Sequence, residues 1–113
     1  MITIEKLREY GADVDEGLAR CVNNEAFYLK LVGSVINDTQ IEKLEEQLLA
    51  GDLDAAFETA HALKGMYANL SLTPIQKPVS EITDLLRTRT QTDYSALLDM
   101  AKQAKKKLAE LEA

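Results

Sequence analysis

From position 53 to position 70, Leu53, Ala56, Phe57, Ala60, Leu63, Met66, Tyr67 and Leu70 recur every three or four residues. At 100° per residue they fall on one broad face, so the spacing predicts a helix over 53 to 70 whose apolar side faces a core. A chain of 113 residues, 46% of them hydrophobic, is sized for one domain with a modest core. Ala, Leu, Glu and Lys dominate while glycine and proline are few, which points to an all-α fold.

Other apolar stripes and caps extend this reading along the chain. Thr3 can cap a short helix that stops at Gly11, and Asp13 or Asp15 precedes another short helical run, EGLARCV. Asn23 or Asn24 can cap a longer helix to position 36, with Phe27, Tyr28, Leu31, Val32 and Val35 on one stripe. Asn37 and Asp38 restart the chain, and Ile41, Leu44, Leu48 and Leu49 keep helical spacing up to Gly51. The short joint Ala50-Gly51-Asp52 implies a helical hairpin, since so brief a connection leaves its helices as neighbours.

Beyond Leu70, Thr73, Pro74 and Gln76 have the pattern of a capping box with proline at the first helical position. Ile75, Val79, Ile82, Leu85 and Leu86 continue as a stripe, and Pro78 is expected to kink the first turn or delay the regular start to position 79. After the polar linker TRTQT, Thr92 can cap a last helix, expected to be the longest, with Tyr94, Leu97, Leu98, Ala101, Ala104, Leu108 and Leu111 inward. The expected architecture is a single domain over 1 to 113: an antiparallel up-down four-helix bundle with the short N-terminal helices packed across one end.

Composition also excludes function classes. A formal net charge of −6, with no basic stripe interleaved with aromatics, argues against nucleic-acid binding. The lone cysteine, Cys21, leaves no internal disulfide, and with one histidine it makes no metal site without several carboxylates. No apolar run approaches the roughly 20 residues that span a bilayer, and no stretch has the layout of a signal peptide, so a cytoplasmic protein is expected. The five glycines form no phosphate-binding loop, so no nucleotide or other cofactor is expected.

The single histidine, His61, projects about 125° from the centre of the apolar stripe and is expected to face solvent. Lys64, Gly65 and Ala68 follow at i+3, i+4 and i+7 and share its strip. A mid-helix glycine costs about 1 kcal/mol relative to alanine, so something is expected to come close there. If a second protein brings a phosphorylated side chain to His61, a residue without a β-carbon clears the approach and Lys64 can stabilise charge on the phosphoryl oxygens. Lys102, Lys105, Lys106 and Lys107 are expected to complement a helix macrodipole along a solvated face. Arg87 and Arg89, at the end of the next helix, either reach the phosphoryl group or a partner, or stand as a surface pair.

The run AHALKGMYANLS resembles the H-x-L-K-G-x-x-x-N-[LI]-G pattern of histidine-containing phosphotransfer (HPt) domains, with His61, Leu63, Lys64, Gly65, Asn69 and Leu70 matching by position. Weaker similarity covers most of the chain, including Gly17-Leu18-Ala19-Arg20 ahead of an aromatic-containing helix. Ser71 stands in place of the pattern's final glycine. Ile82-Thr83 stands where such domains usually carry Leu-Glu, a change expected to bear on surface contacts.

The resemblance implies a phosphoryl relay with His61 as phosphoacceptor, attacking the aspartyl phosphate of a receiver domain and later passing the group to another. A neutral imidazole offers a ring-nitrogen lone pair for this attack. Lys64 would support the phosphoryl charge, and Gly65, Ala68 and Arg87 would meet the partner. The implied partners are response-regulator receiver domains and a hybrid histidine kinase, with the magnesium ion supplied by the receiver, no kinase activity in this chain, and a monomeric state. A helical adaptor that docks a receiver or kinase without being phosphorylated is the competing expectation.

Overall fold

Short polar side chains ahead of the apolar runs take up amide groups that the first turn of a helix leaves without partners. The computed structural model describes residues 1–112 and has seven helices among them: α1 (Ile4–Tyr10), α2 (Val14–Arg20), α3 (Glu25–Ile36), α4 (Gln40–Leu49), α5 (Leu53–Asn69), α6 (Thr73–Arg87) and α7 (Ser95–Glu110). Thr3 accepts from the Lys6 amide at 3.2 Å, Asp13 from Glu16 at 3.3 Å, Asn24 from Phe27 at 3.1 Å and Asp52 from Ala55 at 3.1 Å. Gly11 ends α1 at φ 110°, a left-handed conformation that costs glycine little.

Two expected caps are not used. Thr73 is the first residue of α6, and buried Leu72 occupies the cap position without a side-chain cap bond. Helix α7 begins at Ser95, whose amide donates to Asp93 at 2.9 Å, rather than after Thr92. In both places a buried side chain, Leu72 or Tyr94, anchors the entry. Helix α6 also runs through buried Pro78 from Thr73 onward, so its start is not delayed. At 17 residues α5 is longer than α7, which has 16. Position 113, the last expected to be helical, lies outside the described residues.

The core forms where the stripes meet. Leu63 and Tyr67 of α5, Ile75, Val79, Ile82 and Leu86 of α6 and Leu108 of α7 are buried essentially completely. Helix α5 packs most extensively on α6, α6 on α7 and α4 on α5, while α1, α3 and α4 touch α7 more lightly. Some stripe positions lack a covering neighbour: Phe27 is 48% exposed and Leu49 83% exposed, so neither belongs to the core.

Cross-helix polar contacts fix how the elements face each other. Arg89, just past α6, pairs with Asp54 in the first turn of α5 at 2.6 Å, so these two helices run in opposite directions. Lys102 of α7 reaches Glu45 of α4 at 2.7 Å, and Lys105 bonds the Asp38 carbonyl and lies 3.7 Å from Glu42. These lysines, expected on a free solvated face, tie α7 to α4 instead. Tyr10 donates to the Ala104 carbonyl at 2.9 Å, joining α1 to α7.

The end of α5 is set by Ser71. Its amide donates to the Ala68 carbonyl at 3.1 Å, and the Leu72 amide donates to the Tyr67 carbonyl at 3.0 Å. This is the Schellman pattern, and it puts Ser71 at φ 53° in the left-handed region where glycine is usual. The serine therefore performs the turn itself. Thr83, expected at the surface, is fully buried and donates to the Val79 carbonyl at 2.8 Å.

Candidate functional site

Asp52 starts α5 and its apolar face holds the helix against α6, which leaves the opposite strip in solvent. His61 and Gly65 are exposed on that strip, with Lys64 and Ala68 half-buried beside them. A β-carbon built on Gly65 meets no atom within 4 Å, and Gly65 has no left-handed backbone. Neither the packing nor the backbone of this chain requires glycine there, so its cost of about 1 kcal/mol in helix propensity is uncompensated by the fold.

Lys64 Nζ lies 3.9 Å from Asp84 Oδ1 on α6, with the two side chains 34% and 68% exposed. So open a pair holds the ammonium loosely, worth about 0–1 kcal/mol, and leaves it able to turn to an anion arriving at His61. The Ala68 carbonyl accepts from Arg20 at 2.9 Å, and Arg20 also pairs with Glu16 at 2.8 Å. Beyond Gly65 a groove between α3 and α5 is lined by Leu31, Ser34, Val35, Met66, Asn69 and Leu70.

Phe57, assigned by spacing to the core face, is only half-buried. Its ring stacks on the His61 imidazole, with centroids 5.6 Å apart and planes inclined by 23°. Two guanidinium groups from the end of α6 also lie over Phe57: Arg87 at 5.5 Å and Arg89 at 4.7 Å from its centroid. Arg89 is further held by Asp54 at 2.6 Å and by the Leu86 carbonyl at 2.8 Å.

The expected residues His61, Lys64, Gly65 and Ala68 thus share one strip, and Arg87 is brought to its edge by way of Phe57. Sequence reasoning missed Phe57, Asp54 and Asp84. The i, i+4 spacing of Phe57 and His61 was a usable signal for the first. The two aspartates meet their partners across helices, which no local spacing announces.

Helix α5 thus presents one exposed histidine with a lysine one turn on and a bare glycine beside it. The Hpt domain family model matches residues 37–113, more than half of the chain, and the chain belongs to that family. The matched region takes in α4 to α7, including the whole His61 strip. Hpt domains serve histidine phosphotransfer in two-component systems and interact there with receiver domains and kinases. No curated protein and no solved structure matches the chain. Among the described residues no helix is long and apolar enough to cross a membrane.

Proposed function

We propose that this protein relays a phosphoryl group between receiver-domain aspartates through phosphohistidine at His61. The unprotonated ring nitrogen attacks phosphorus, the N–P bond forms as the acyl P–O bond breaks, and the receiver carboxylate leaves with the electron pair. The proton on the other ring nitrogen is held there or passes to solvent. A second receiver aspartate reverses these bond changes. Lys64 offsets charge on the phosphoryl oxygens, and positioning supplies most of the remaining help.

The observation that carries this reading is the unobstructed space over Gly65 beside exposed His61. A receiver surface can approach the helix backbone there, with Ala68 extending the low strip and Arg87 at its edge. The docking face would continue into the groove between α3 and α5. Residues 1 to 113 are taken as one monomeric, cytoplasmic domain, with α4 to α7 as an up-down bundle and α1 and α2 across the end where α5 gives way to α6.

Incubation with a phosphorylated receiver should give acid-labile, alkali-stable phosphate on this protein and none on His61→Gln. No label across a panel of receivers, or label that persists in His61→Gln, overturns the relay. Receiver binding without label would instead identify an adaptor.

A further inference from the structure

Helical side chains lean back over the turn that precedes them, so the His61 imidazole leans toward residue 57 and away from Gly65. Phe57 is what it meets, at 5.6 Å between centroids and 23° between planes, within the range of an offset aromatic stack. We propose that Phe57 is a positioning residue for phosphoryl transfer: it fixes the plane of the His61 ring so that the attacking nitrogen faces the side from which a receiver arrives. This rests on His61 being the phosphoacceptor.

An exposed histidine changes rotamer on the picosecond to nanosecond scale, whereas in-line attack on phosphorus needs one orientation. A stack on one face of the imidazole removes orientations without covering the edge that carries the nitrogens. Phe57 suits this because it is itself held. Its inner edge is packed against the core, and the Arg89 guanidinium lies 4.7 Å from its centroid. Arg89 in turn is fixed by Asp54 at 2.6 Å and the Leu86 carbonyl at 2.8 Å. The chain of contacts runs from α5 to the end of α6 and back to the imidazole. A leucine would fill similar space but would neither stack on His61 nor attract a guanidinium.

The first test uses the unmodified protein: nuclear Overhauser contacts between the Phe57 and His61 ring protons are expected, and their absence overturns the proposal. The second measures single-turnover transfer from a saturating phosphorylated receiver. Phe57→Leu should slow it roughly 3- to 10-fold with receiver affinity unchanged, and Phe57→Tyr should restore it. Arg89→Gln, which alters an exposed side chain and leaves the core intact, should slow it about two- to fivefold.

Phosphoramidate, a small donor that approaches from any direction, should label His61 at the same rate in all of these proteins. Wild-type transfer rates in both Phe57→Leu and Arg89→Gln overturn the proposal. So does an equal loss of receiver-dependent and phosphoramidate labelling, which would mark a role in folding or access. If Phe57→Leu does not fold, Arg89→Gln and Phe57→Tyr decide. Failure of unmodified protein to accept phosphate on His61 from any receiver would instead reject the relay, whatever the rings do.

Discussion

Gly17 of α2 lies directly beneath the Tyr28 ring of α3: a β-carbon at position 17 would stand 2.7 Å from Tyr28 Cε1 and 2.8 Å from the Leu70 carbonyl oxygen. Tyr28 donates its hydroxyl to that same carbonyl at 2.9 Å, so three elements close on one point with no room for a methyl group. In an open helix, glycine to alanine gains about 1 kcal/mol. Here overpacking, at about 1–3 kcal/mol, outweighs it. Gly17→Ala should lower stability by up to about 2 kcal/mol in urea titration, and a gain would contradict this packing.

Ser71 is expected to behave in the opposite sense. It holds φ 53°, and its buried hydroxyl oxygen has no hydrogen-bond partner among the described residues. A left-handed non-glycine residue costs about 1–2 kcal/mol, and an unpaired buried hydroxyl adds to that. Ser71→Gly relieves both, partly offset by the greater freedom of glycine in the unfolded chain. A gain of about 1 kcal/mol in unfolding free energy, with unchanged phosphotransfer, is the expected result. Destabilisation would mean that the hydroxyl matters to the turn.

Stability should fall on the alkaline side. Burial pushes the Tyr28 hydroxyl up to about 12, with Cys21 and Asp13 adding to the shift, and burial raises Tyr10 and Tyr67 as well. A hydroxyl that titrates higher when folded than its unfolded value of about 10 contributes fully below pH 10. That contribution is lost as pH rises through the folded value. The urea midpoint should therefore drop between about pH 10 and 12, and tyrosinate absorbance should appear together with loss of helical circular dichroism. Tyr28→Phe should reduce the drop, with Tyr10 and Tyr67 still contributing, while costing about 1–2 kcal/mol at neutral pH for the orphaned Leu70 carbonyl. A flat midpoint to pH 12 in the unmodified protein would refute the assignment.

What could be read from the sequence was local. Thr3, Asp13, Asn24 and Asp52 cap as expected because each bond spans three residues and needs nothing from the rest of the fold. Thr73 and Thr92 do not cap, because buried Leu72 and Tyr94 set those helix entries, and burial depends on distant partners. The same limit explains Phe27 and Leu49, whose stripe positions no other helix covers, and Thr83, whose hydroxyl is satisfied within its own helix. The His61 strip was legible because its members recur along one face of a single helix. Arg89 comes to Phe57 from just past α6, Asp84 comes to Lys64 from α6, and Asp54 meets Arg89 across the two helices, all beyond the reach of periodicity.

Lys64 offers a test of charge separate from fold. Its partner Asp84 is 3.9 Å away and largely exposed, so Lys64→Ala should change stability by less than about 1 kcal/mol. On the proposed relay, removing this cation should slow transfer roughly tenfold, less than at an enclosed site because water screens it. Single-turnover transfer and urea denaturation on the same variant separate the two. Loss of stability with normal transfer would make Lys64 a structural residue.

Gly65 is where stability and activity should part company. With nothing within 4 Å of an added β-carbon and no left-handed backbone to maintain, Gly65→Ala should stabilise the protein by about 1 kcal/mol. Gly65→Leu should fold with helix content at least equal to the original, since its side chain projects into open solvent. That same side chain would occupy the surface proposed for receiver docking at His61, so receiver-dependent labelling should fall with side-chain size while phosphoramidate labelling is kept. A Gly65→Leu protein that accepts phosphate from a receiver at the normal rate would remove the steric reason for glycine at this position, and with it the observation on which the docking geometry depends.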